Sequence, residues 1–352
     1  MARRQATVPK VLARGRIDGS AMVRFLRRQF LQFAVGAAAL PAATRMVRAQ
    51  TYPTRPITII VPSGAGGPTD VIARVITEHM RRALGQAIII ENVTGANGNL
   101  GIGRVARAKP DGYTLAFSVS SSTHVVNGAI YALTYDVVND FAPIALVADN
   151  PLLILAKKAM PASDLKGLIV WLKANPDVAS LGQTGPGSPA HLAGILFQKQ
   201  TEARFQFANY RSVGQAMQDL IGGHIDLMFV APNIALEQVR AGSIRAYAVT
   251  AKKRLAMAPD IPTVDEAGLP NFYSSVWYAF WAPKGTPRDV IERLNAAVVG
   301  TLADTVVRAR FVDLGQGIFP REQQTPEALA AQQKAEIEKW WPIIKEAGIK
   351  AE

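Results

Sequence analysis

The sequence predicts an α/β protein built on mixed, mainly parallel sheets flanked by helices. From Tyr52 onward, short β-branched runs alternate with amphipathic helical stretches. The same order of strand, glycine- and proline-rich loop, and helix then recurs in the second half of the chain. With 352 residues, 49% of them apolar and 19% charged, the chain has room for two ordinary domains and a sizeable core.

Ile57–Val61 is a short apolar run closed by the loop Pro62–Pro68. Thr69-Asp70 supplies helix-capping chemistry, and Val71, Ile72, Val75, Ile76 and Met80 then share one helical face. Ala87–Glu91 reads as a second strand, and Lys109–Gly112 turns the chain into a third, Tyr113–Val119. Leu152–Ala156 and Ala179–Leu181 are strands of the second half, followed by the small-residue loop Gly182–Pro189. Leu192, Ala193, Leu196 and Phe197 share the face of the next helix, and Val213, Ala216, Met217, Leu220 and Ile221 that of another, stopped at Gly222-Gly223. Ile225–Val230 and Ile244–Thr250 are buried strands, and Val276–Ala282 is a further one. Thr286-Pro287 and Thr325-Pro326 each open a helix with proline in its first turn. No linker separates two parts, which fits a chain that crosses between them more than once.

The net charge of +12 raises a nucleic-acid reading, and its distribution removes it. Ten basic residues and one acid lie before Thr51, so the body of the protein is only mildly basic. That leader has the Arg27-Arg28 pair before Phe30-Leu31, an apolar stretch to Ala43, and the small-residue pattern Val47-Arg48-Ala49. This is the order of a cleaved bacterial export signal, and the paired arginines resemble the twin-arginine type, with the general secretory route as the alternative. The apolar stretch is shorter than the roughly 20 residues that a membrane span requires. Met22 is an alternative start to Met1.

The chain contains no cysteine, which excludes a disulfide, a thiolate nucleophile and a Cys-ligated metal. His79, His124, His191 and His224 have no ligand spacing, so no metal and no cofactor is expected. A phosphate loop and a dinucleotide fingerprint are both absent, as is a G-x-S-x-G elbow, and no catalytic residue is assigned. The two glycine-rich loops suit anions instead: glycine lets the backbone approach a ligand, and a helix start offers free N–H groups. Ser120 and Ser121 follow the strand Tyr113–Val119, beyond the carboxyl end of which an open α/β sheet binds ligands. Tyr210 follows a strand-like run ending at Asn209 and is either a ligand contact or an amphipathic core residue.

Val61–Asp70 reads V-P-S-G-A-G-G-P-T-D; Glu91-Asn92 precedes Gly95-Ala96-Asn97-Gly98-Asn99; Pro110–Leu115 reads P-D-G-Y-T-L. Ala190–Gly194, Gly222–Phe229 and Asp260–Gly268 complete a series that resembles, in order and over nearly the whole mature chain, the tripartite tricarboxylate transporter substrate-binding proteins, or Bug family. The resemblance implies two Rossmann-like lobes closing as a type II periplasmic-binding-protein flytrap. On it, residues 1–50 are the export signal, 51–150 with a return segment about 276–352 form the first lobe, and 151–275 the second. It implies a periplasmic, monomeric receptor for a small carboxylate, a di- or tricarboxylate or an aromatic one. The receptor delivers it to large and small integral membrane subunits; a module signalling to a membrane kinase is the alternative. It further implies that Ser63, Ala65, Gly66, Thr69 and Asp70 form one jaw and Thr184, Gly185, Ser188, Ala190 and His191 the other, with Asp70 more a helix cap than a contact. Ser63-Gly64 and Val230-Ala231 depart from the family pattern, which often has Phe-Pro at the first place and an Asp-containing pair at the second. Loss of that acid disfavours an amino-acid ligand.

Overall fold

A computed structural model describes residues 52–350, so the export signal expected over 1–50 lies outside the described residues. The strands are β1 (Ile57–Val61), β2 (Ile88–Asn92), β3 (Thr114–Val119), β4 (Phe141–Pro151), β5 (Leu153–Lys157), β6 (Ser180–Gln183), β7 (Gln206–Asn209), β8 (Leu227–Val230), β9 (Ile244–Val249), β10 (Ser275–Pro283) and β11 (Gly317–Ile318). They form two sheets, ordered β2-β1-β3-β10-β4-β11 and β7-β6-β8-β5-β9.

Both sheets are mixed in the same way. In the first, β1 runs parallel to β2 and β3, and β10 is antiparallel to both β3 and β4. In the second, β6 runs parallel to β7 and β8, and β5 is antiparallel to both β8 and β9. The first sheet adds the two-residue β11, antiparallel to β4, at its edge, and in each sheet one reversed strand is inserted among four of common direction. In each case it is the first strand made after the chain crosses from the other sheet.

Burial on both faces explains the apolar runs. In β1, Ile57, Ile59 and Val61 pack under the helices Pro68–Leu84 and Arg288–Ala303, against Ile72, Ile76, Leu294 and Val298. Ile60 points to the other face, where Ile102, Trp281, Leu329 and Trp340 lie. In β5, Leu153 and Leu155 meet Ala216, Met217 and Leu236, while Ile154 faces Phe197, Leu168 and Leu172. Among the described residues no helix is long and apolar enough to cross a membrane.

The two crossings lie side by side. The carbonyl of Leu152, the single residue between β4 and β5, accepts the backbone N–H of Thr250, which follows β9, at 2.8 Å. The Thr250 hydroxyl donates to Ser274 O at 2.5 Å and accepts the Leu152 N–H at 2.8 Å, so one buried side chain ties both crossings together. Thr250→Val keeps the shape and deletes both bonds. It is expected to cost about 1–3 kcal/mol in urea unfolding, the penalty of leaving buried polar groups unpaired; a change within error would show the clamp to be dispensable.

Candidate functional site

The two glycine-rich loops leave equivalent strands. β1 and β6 each lie between the two strands parallel to them, and each opens from its carboxyl end into a loop and then a helix. Such carboxyl ends are where open α/β sheets hold ligands.

In the first loop Asp70 organises the backbone. Its carboxylate accepts from Gly66 N–H at 2.8 Å, from Arg74 Nε and Nη2 at 2.8 and 3.0 Å, and from Asn92 Nδ2 at 3.0 Å. The Arg74 guanidinium, the Gly66 amide and the Asn92 amide hold its pKa down to about 2, against the opposing effect of burial. With its oxygens taken, Asp70 shapes the loop, and Gly66 contributes its φ of +77° rather than its committed N–H. The amides of Ala65, Thr69 and Asp70 meet no protein acceptor among the described residues, and the Ser63 hydroxyl is buried without a partner. Asn92 also donates to Ser63 O at 3.0 Å, a structural role that sequence motifs alone left unassigned.

In the second loop the organiser is Gln183, which sequence reasoning missed. Its Oε1 accepts from Gly185 N–H and, at 3.1 Å, from the Ser188 hydroxyl, while its Nε2 donates to Asn209. Ser188 caps the helix Pro189–Thr201 by accepting from His191 N–H. His191 Nδ1 accepts from Gly187 N–H at 3.1 Å, which places the ring proton on Nε2. Burial pushes the His191 pKa down, so the imidazole is neutral and contributes no positive charge near neutral pH. The amides of Thr184 and Ala190 meet no protein acceptor among the described residues. Neither loop contains a cationic side chain; attraction for an anion comes from these amides and the two helix starts.

Ser121 and Ser122 face the second loop across a space of about 20 Å³, bounded also by Gly187, Pro189, Ser274 and Ser275. The loop reaches the first half of the molecule here, since a Cβ added at Gly187 would lie 2.8 Å from Ile130 Cδ1. A larger cavity of about 140 Å³ opens beside it, bounded by Thr184, Pro189 and Ala190 and by residues of β8 and the crossings.

Two expected contacts serve other purposes. Ser120 is fully buried, accepts from Trp281 Nε1 at 3.0 Å and lies 3.3 Å from the Ser118 hydroxyl, within a core network that continues through Thr123 to His124. A π-helical turn over Ser122–Val126 puts Thr123 and His124 inside and leaves Ser121 and Ser122 outside. Tyr210 donates to Asp219 at 2.7 Å, and burial together with this carboxylate pushes its pKa up to about 12. It takes the amphipathic core role, with its ring beside Gly182. Among the described residues no group of acids and histidines could hold a metal.

Residues 72–349 match the profile described as the tripartite tricarboxylate transporter family receptor. The chain is 35% identical to Protein BugT from Bordetella pertussis, over 86% of this chain and 93% of that one. It is similar to the solved structure of MatC from Rhodopseudomonas palustris with bound malate, at 37% identity and a TM-score of 0.68, covering 83% of this chain and 100% of that one. It also resembles an R. palustris protein solved with adipate, at 30% identity and a TM-score of 0.70, covering 85% of this chain and 99% of that one. Two sheets with one inserted strand each, two loops at equivalent strand ends and a match over most of the length lead to one assignment. The chain belongs to the tripartite tricarboxylate transporter receptor family, the Bug proteins, whose members are two-lobed periplasmic binding proteins and not enzymes.

Proposed function

We propose that this protein is a non-catalytic periplasmic receptor. It captures a small carboxylate between its two glycine-rich loops and passes it to a transporter with large and small integral membrane subunits. The observation that carries this reading is the pairing of the loops: each opens a helix, and each leaves backbone N–H groups free of protein acceptors. Relatives solved with malate and adipate support the ligand class. A carboxylate bridging both loops holds the lobes shut, because only contacts made in the closed state can favour it.

A thermal-shift screen of carboxylates tests the class, since a ligand at a hundred times its Kd stabilises the fold by about 2.7 kcal/mol. Gly66→Val tests the place. A Cβ there meets no atom within 4 Å, so the fold is kept while the left-handed backbone, at φ +77°, is strained for valine. Affinity is expected to fall by about one to two orders of magnitude, the equivalent of one lost charge-assisted hydrogen bond. Undiminished affinity by titration calorimetry, with normal ligand-induced compaction by small-angle scattering, puts the site elsewhere. The leader's part of the proposal predicts that periplasmic protein begins near Gln50 or Thr51 on N-terminal sequencing; an intact membrane-embedded chain would contradict it.

A further inference from the structure

The cavity beside the second loop differs in chemistry from the loops themselves. It measures about 140 Å³, and Leu152, Val213, Val230, Ala231, Ile234 and Val276 make up much of its wall. No Asp, Glu, Lys, Arg or His lines it. Gln183 borders it, yet both ends of that side-chain amide are committed to Asn209, Gly185 and Ser188. Thr184 is the one lining side chain whose polar group meets no protein partner among the described residues, and it belongs to the loop. Ile234 is 41% exposed at this wall, a large apolar side chain left without cover in a concave place.

We infer that this pocket selects the body of the ligand: the bound acid carries a single carboxylate and an uncharged, apolar tail. The inference rests on the carboxylate reading above and narrows it. A tail seated here takes its apolar surface out of water, and an apolar cavity of roughly 150 Å³ is large enough for a benzene ring. A second carboxylate, or the ammonium of an amino acid, would enter the same space with no counter-charge and no free side-chain partner beyond Thr184. A charge desolvated without a partner weakens binding. The pocket therefore discriminates by what it lacks, while the loops hold the acid group common to all candidates.

Titration calorimetry of the purified protein with isocaproate, leucine and adipate separates the cases. Leucine adds only an ammonium to isocaproate, and adipate has the same number of carbons with a carboxylate at the far end. Isocaproate, and phenylacetate as the aromatic probe, are expected to bind at least about tenfold more tightly than leucine or adipate. Equal or tighter binding of adipate or leucine overturns the inference and leaves a carboxylate receptor standing; binding of no carboxylate at all overturns both. Ile234→Lys provides an independent check, because the position is exposed and lysine suits a helix. The added cation is expected to move the adipate-to-isocaproate affinity ratio towards adipate by about tenfold or more. An unchanged ratio would remove this pocket from ligand selection.

Discussion

Replacing Trp281 with alanine is expected to destabilise the protein by about 3–5 kcal/mol, the range for deleting a buried aromatic side chain. The indole is 1% exposed and lies in the core between the first sheet and the C-terminal helix Pro326–Glu346. It stacks on the His124 ring with centroids 4.5 Å apart and planes 8° from parallel. Its Nε1 also donates to Ser120, so removal strands a buried hydroxyl network that runs through Ser118 and Thr123 to His124. Trp281→Phe keeps much of the volume and gives up the hydrogen bond; its cost should be smaller by at least half. Guanidinium unfolding reads both, and an alanine variant within about 1 kcal/mol of the parent would contradict this account of the core.

Asp70→Asn should act on stability and binding together. The substitution is isosteric, but an amide cannot accept from Arg74, Gly66 and Asn92 at once, so a loss of roughly 1.5–3 kcal/mol is expected at neutral pH. Arg74 is 55% exposed, which screens its share and places the lower half of that range within reach at high salt. The sign with pH follows from the lowered pKa. Asp70 stays ionised in the fold down to about pH 2, whereas unfolded it protonates near 3.8. Its contribution is complete above the unfolded value and is lost as pH falls through that interval towards 2. Parent and variant should therefore converge in stability on acidification, and a constant gap from neutral pH downwards would show that charge is not the cause. Because the first loop loses its organiser, carboxylate affinity should fall with it, at a pH where both proteins are folded.

Sequence periodicity located most of the strands because their signals are local. Ile57–Val61 was legible to the residue, and Ile244–Thr250 and Leu152–Ala156 differ from the observed strands by one position at their ends. β4 was not legible, although it is an eleven-residue strand that pairs with β10 along its whole length. Pro143 and Pro151 interrupt its pattern, and burial on both faces removes the alternation that marks a half-exposed strand. The site divides the same way. Glycine-rich loops at helix starts announce themselves in a few adjacent residues. Asn92 sits on β2, 29 and 22 residues from the Ser63 and Asp70 groups it holds, and only the fold brings it there. Gln183 stands two and five residues before Gly185 and Ser188, and it is its tie to Asn209 on the neighbouring strand that the sequence does not announce. The serine run after Tyr113–Val119 looked uniform, and a single irregular turn divides it into a buried Ser120 and a cleft-facing Ser121.

The inserted strands also govern the order in which the molecule can be completed. β5 to β9 are consecutive in the chain, so the second sheet has all its strands once Val249 has been made. The first sheet does not: β10 lies between β3 and β4 and is synthesised after the whole of the second sheet. Until then β3 and β4 carry unpaired backbone edges flanked by apolar faces, the condition that invites pairing with other chains. Joining them takes contacts between residues 119 and 278 and between 117 and 280, long loops to close and hence a slow step. The half of the molecule made first is thus the half finished last, and a chain stopped before Ser275 has the greatest exposure to aggregation.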